Sequence, residues 1–75
     1  MQDLVRHIVC ALVDDPDAVE ITVERSERGP DLIRIEVAEG DRGTVIGRQG
    51  RTIRAMEAVI NAAAKGPAPR LEIGP

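Results

Sequence analysis

Val45-Ile46-Gly47-Arg48-Gln49-Gly50-Arg51-Thr52-Ile53 is the stretch from which the rest of this chain can be read. Two glycines enclose two polar residues, and apolar-periodic segments lie on either side. Glycine at both ends permits the positive φ angles of a tight helix-to-helix turn. It also removes the Cβ atoms that would hold a sugar-phosphate chain away from the peptide. The first N–H groups of the following helix have no intrahelical partner and carry the positive end of its dipole, which favours an anion there. Arg48 and Arg51 add mobile charge and can each bond a phosphate through two N–H groups. Gln49 donates or accepts without adding charge. Arg42 and Arg54 extend the positive rim, and no acid lies between Arg42 and Glu57. The pattern points to single-stranded nucleic acid.

The flanking sequence supplies the scaffold. Leu4, Val5, Ile8, Val9 and Leu12 form one helical stripe, ended by Asp14-Asp15-Pro16. Val19, Ile21 and Val23 alternate with polar residues, as do Ile33, Ile35 and Val37, which is the period of half-buried strands. Arg25 to Asp31, with Gly29-Pro30, turns between them in an antiparallel hairpin. Asp41 is placed to N-cap a short helix over Arg42 to Ile46. A longer helix is expected from about Arg51 to Ala64, with Ile53, Met56, Val59, Ile60 and Ala63 on one face. Lys65-Gly66-Pro67 should stop it, with Gly66 as its C-cap. Arg70 to Ile73 reads as a short last strand. The order is α-β-β-α-α-β, and the last strand must join the hairpin through a helical crossover. The expected fold is therefore α+β, a three-stranded sheet with helices packed on one face.

Composition bounds the function. Seventy-five residues make one domain at most, with little stability to spare. There is no Phe, Tyr or Trp, so the core is aliphatic and base stacking on aromatics is not open to this chain. The net charge of -3 is unevenly spread: residues 1–41 hold four basic and eleven acidic groups, residues 42–75 six basic and two acidic. The local field at the loop outweighs the global balance, because screening acts over about 8–10 Å. Cys10 is the single cysteine, so no intrachain disulfide forms. The N-terminal segment has only Arg6 as a cation and does not read as a secretory signal, and no apolar run is long enough to span a bilayer. A cytoplasmic protein is expected.

Thr44-Val45-Ile46-Gly47-Arg48-Gln49-Gly50-Arg51-Thr52-Ile53 resembles the signature of the KH domain. The element order from Met1 to Ile73 resembles the bacterial type II KH fold. The run from Gly47 to Ala64, with the chain's size, resembles the small single-domain KhpA-type proteins. The resemblance covers essentially all of residues 1–75 as a single KH domain. It implies RNA binding, with the loop clamping about four nucleotides across an apolar-floored groove, and a role as a global RNA chaperone or post-transcriptional regulator. It implies RNA contacts at Gly47, Arg48, Gln49, Gly50, Arg51 and Thr52, with Arg42 and Arg54 on the rim. By position Val45, Ile46 and Ile53 match the apolar residues beside the loop, and Ile35 and Val37 would lie on the supporting sheet. It also implies a homodimer, and pairing with a larger multidomain KH protein of the KhpB/Jag type. The last strand departs from the pattern by its shortness.

Other readings are weaker. Gly50-Arg51-Thr52 lacks the lysine and the preceding strand of a P-loop. His7, the single histidine, has no second ligand or base beside it in sequence. No metal cluster and no Ser/His/Asp set can be assembled, so neither an enzyme nor a cofactor is expected. Glu20, Glu24 and Glu36 read as a solvent-facing sheet surface. A second reading makes the chain a protein-interaction subunit, with Ala58, Asn61, Ala62 and Lys65 beside the core stripe as its dimer face, or the edge of the last strand in their place.

Overall fold

A computed structural model describes residues 2–74. Six main elements follow in the expected order: α1 (Gln2–Leu12), β1 (Glu20–Glu24), β2 (Leu32–Glu36), α2 (Arg42–Ile46), α3 (Arg51–Ala63) and β3 (Arg70–Ile73). One-turn 3₁₀ segments at Pro16–Ala18, Glu39–Asp41 and Arg48–Gly50 join them. The fold is α+β with a three-stranded mixed sheet.

The sheet order is β1-β2-β3. β1 and β2 pair antiparallel with Ile21 opposite Ile35 and Val23 opposite Ile33. β3 returns parallel to β2, with Leu71 beside Ile33 and Ile73 beside Ile35. This register puts Ile21, Val23, Ile33, Ile35, Leu71 and Ile73 on one face and leaves Leu32 on the other, opposite Glu24. Short as β3 is, its ladder runs on at both ends, through Arg70 N–H to Asp31 O (2.9 Å) and Gly74 N–H to Ile35 O (2.8 Å). The other face carries Glu20, Glu24, Glu36 and Glu72 in solvent. There Arg34 lies 3.6 Å from Glu24 and 3.7 Å from Glu72. These pairs are well exposed and contribute little stability.

The helices cover the apolar face, α1 against β1 and α3 against β3. Val5 and Val9 of α1, Ile21, Ile33 and Ile35 of the sheet, Val45 of α2, and Met56 and Ile60 of α3 form the core. The expected stripes are narrower than their periodicity implied. Leu12 is 37% exposed and Val59 50% exposed, because both line an open groove between α1 and α3. Ala63 is exposed as well.

Two local expectations need correction. The long helix stops at Ala63 with extended Ala64 as its C-cap (φ -73°, ψ 140°). Gly66 (φ +132°) belongs to the loop beyond, not to the cap. Asp41 does occupy the N-cap position of α2, but its side chain caps nothing there. Its carboxylate is buried and instead accepts the backbone N–H groups of Asp14 and Asp15, each at 3.1 Å. One acid thus ties the end of α1 to the start of α2, and so holds the segment that leads into the glycine loop.

Candidate nucleic-acid interface

α2 closes with Gly47 N–H donating to Gly43 O (2.8 Å), and the chain then reverses within Gly47-Arg48-Gln49-Gly50. Gly50 N–H donates to Gly47 O (3.1 Å), which makes the loop a closed turn. Arg51 N–H is used by Arg48 O, and α3 begins. The reversal needs positive φ at three places: Gly47 (78°), Gln49 (58°) and Gly50 (74°).

The two glycines are required for different reasons. A Cβ on Gly47 would stand 2.7 Å from both the backbone nitrogen and the Cβ of Thr52. The first turn of α3 therefore packs directly on the bare Cα of Gly47, and Thr52 positions the loop by this contact. A Cβ on Gly50 would meet only ordinary neighbours, Arg54 Nη1 at 3.6 Å and Ile53 Cγ2 at 4.0 Å. Its glycine answers to the left-handed backbone. Between them Arg48 and Gln49 are held outward and exposed.

Arg51 and Arg54 are exposed on the first turn of α3, and the Arg54 guanidinium lies over Gly50. Among the described residues the side-chain ion pairs are those of Arg34, so Arg48, Arg51 and Arg54 have no carboxylate within 4.0 Å. Three unpaired guanidinium groups at one helix start form an anion-attracting surface. Arg42 is placed differently. It begins α2 while the loop ends it, and its half-buried side chain has a buried Nε with no hydrogen-bond partner.

The apolar neighbours divide likewise. Ile46 and Ile53 are half-buried beside the loop and keep surface to offer a ligand. Val45 is fully buried and belongs to the core, and so does Ile35, while Val37 is half-buried just past β2. Ala58, Asn61, Ala62 and Lys65 are exposed and carry no large apolar group. The exposed apolar surface lies elsewhere. Leu4, Ile8 and Leu12 of α1 face Ala55, Met56 and Val59 of α3 across an open groove of about 400 Å³, with Thr52 at its loop end. The 37% and 50% exposures of Leu12 and Val59 come from this groove, which helical periodicity alone had assigned to the core.

Among the described residues no three His, Cys, Asp or Glu side chains are placed to hold a metal ion. Among the described residues no helix is long and apolar enough to cross a membrane. His7 is exposed, and Cys10 is half-buried against the core.

The family model described as KhpA/KhpB, KH domain matches residues 2–72. The RNA-binding protein KhpA of Halalkalibacterium halodurans is 46% identical over 65 residues, spanning 85% of this chain and 83% of its own. The RNA-binding protein KhpA of Caldanaerobacter subterraneus is 44% identical over 64 residues (85% and 84%). That of Bacillus subtilis is 41% identical over 63 residues (84% and 76%). No solved structure matches significantly.

Proposed function

The chain belongs to the KhpA/KhpB KH-domain family, and from that premise we propose that it is a non-enzymatic protein that holds single-stranded RNA at Gly47–Gly50. The observation that carries this reading is the loop itself. Two glycines reverse the chain at the start of a 13-residue helix, Arg48 and Gln49 are held outward between them, and among the described residues Arg48, Arg51 and Arg54 have no carboxylate partner. Phosphates approach the open backbone, the arginines neutralise them, and Ile46 and Ile53 offer apolar contact to a sugar or base. Thr52 positions the loop, and Arg42 acts only at a distance. With no aromatic residue in the chain, affinity comes mostly from the backbone of the RNA. Such binding tolerates many sequences, which suits a cytoplasmic RNA chaperone or global post-transcriptional regulator built as one KH domain.

The test is the double variant Arg48→Asp, Gln49→Asp. Both side chains are exposed, and Asp tolerates the left-handed φ of position 49. The fold should persist by circular dichroism, while RNA affinity at fixed salt falls about tenfold or more. Parental affinity in the double variant would place the RNA elsewhere.

A second reading, that the chain works by pairing, has its own observation in the α1–α3 groove. Leu12 and Val59 protrude beside the apolar groove that they line. A two-fold-related copy would set each molecule's ridge into the other's groove, as isologous interfaces require. We therefore assign the homodimer face to this groove, and a KhpB/Jag-type KH partner would compete for it. Sedimentation at micromolar concentration should show a dimer that Val59→Asp converts to monomer. A parent monomeric up to about 100 µM would remove the homodimer, since a functional pair is expected to form at or below micromolar Kd.

A further inference from the structure

The two flanks of α3 are not equivalent. One flank, Thr52, Ala55 and Val59, is turned to α1 across the apolar groove. Met56 and Ile60 form the buried ridge. The remaining flank starts at the loop and runs Gly50, Arg54, Glu57, Asn61, spaced i, i+4, i+7, i+11. Its start is seen directly, since Arg54 and Ile53 lie against the bare Cα of Gly50. Because α1 sits on β1 and α3 on β3, this flank faces away from α1, towards the free edge of β3. A strand of RNA held at the loop and laid along α3 on this side meets Arg54 first and Glu57 next.

Glu57 is out of character with its surroundings. It is the only acid between Arg42 and Glu72, and it is half-buried. Among the described residues it has no ion pair, not even with Arg54 three positions away, and no side-chain hydrogen bond. An unpaired carboxylate there repels phosphate and suits a neutral part of the nucleotide that presents hydrogen-bond donors, as a base does. Glu57 lies seven residues past Gly50, about 10 Å along the helix axis, within reach of the base of a nucleotide whose phosphate sits at the loop.

Resting on the RNA site proposed above, we propose that Glu57 reads the base beside it, favouring bases with an exocyclic amino group and rejecting uracil. An ionised carboxylate only accepts hydrogen bonds. Cytosine offers its N4 amino group, the pairing Glu makes with cytosine elsewhere. Adenine offers its N6 amino group. Guanine offers N1–H and its N2 amino group together. Uracil offers a single N3–H between two carbonyl oxygens, and both oxygens repel the carboxylate. The arginines at the loop set how tightly any RNA is held. Glu57 sets which base is accepted one step along.

The experiment compares fluorescently labelled oligocytidine and oligouridine of equal length, two pyrimidines of the same size, by anisotropy titration at one salt concentration. The parent should bind oligocytidine roughly tenfold more tightly, the discrimination of one good base contact. Glu57→Gln should bring the ratio towards one, chiefly by improving oligouridine, because a carboxamide can both donate to and accept from uracil. Removing a negative charge strengthens both titrations alike, so the ratio separates base reading from simple electrostatics. A parental ratio near one, or a ratio unchanged in Glu57→Gln, overturns the proposal. The Arg48→Asp, Gln49→Asp variant separates this failure from that of the site. If it weakens both oligomers equally while Glu57→Gln changes no ratio, the loop holds RNA and Glu57 does not read it. If it weakens neither, the site and this inference fall together.

Discussion

Replacing Gly47 by alanine tests the link between the loop's backbone and the packing of α3. Gly47 has φ 78° and ψ 167°, a region that is essentially glycine-only and costs about 1–3 kcal/mol for any other residue. The added Cβ would also stand 2.7 Å from the backbone nitrogen of Thr52. A backbone atom cannot rotate away, so the first turn of α3 must shift, at the cost of about 1–3 kcal/mol typical of overpacking. The total is about 2–6 kcal/mol. A domain of this size has only about 4–11 kcal/mol in all, and each kcal/mol moves its melting point by about 4–8 °C. Gly47→Ala should therefore lower Tm by at least about 8 °C, or leave the chain unfolded. Gly50→Ala is the informative comparison. Its φ of 74° is left-handed, but its Cβ would have ordinary clearance, so the loss should be only about 1–2 kcal/mol. Gly43→Ala, exposed inside α2 with open space at its Cβ, should gain roughly 0.5–1 kcal/mol. Thermal and urea melts followed by circular dichroism at the helix band give all three values. If Gly47→Ala loses no more stability than Gly50→Ala, the close approach of Thr52 is not what requires the glycine.

Asp41→Ala removes a buried acceptor shared by two backbone N–H groups, and should cost about 2 kcal/mol in a urea melt even though water can reach the freed donors at Asp14 and Asp15. Asp41→Asn, which keeps one acceptor oxygen, should fall between that variant and the parent. Neutralisation of two or three phosphates should give a plot of log affinity against log salt with a slope of roughly -1.4 to -2.1 for a single strand. A flat plot would remove the arginines from the account, and a slope steeper than about -5 would require a basic surface larger than three free guanidinium groups provide.

Much of this architecture was legible along the chain because it rests on local rules. Alternation at Ile21, Val23, Ile33 and Ile35 follows from the two-residue period of a strand, and the structure places all four on the inner face. The spacing of Val5, Val9, Met56 and Ile60 follows from the helical period, and all four are buried. Two glycines around two polar residues permit a reversal between helices whatever lies around them, and the turn forms there with positive φ. The KH resemblance also rested on adjacent residues, and the family comparison agrees with it.

What eluded the sequence depends on partners distant along the chain. Asp41 had the position of a helix cap, but its carboxylate turns to Asp14 and Asp15, 27 and 26 residues away, because those two N–H groups are brought beside it only when α1 meets α2. Val59 and Leu12 share the periodicity of buried neighbours, yet both remain exposed, because the groove between α1 and α3 is open and no other element among the described residues covers it. Arg42 reads as one more arginine of the basic window, and that its side chain is half-buried at the start of α2 shows only in the fold. Glu57 reads as the residue that merely ends that window. Its flank could be identified only once α1 had taken the opposite side of α3. Periodicity states which residues of an element share a face, and the packing of other elements against it determines which of those faces stays open to a ligand.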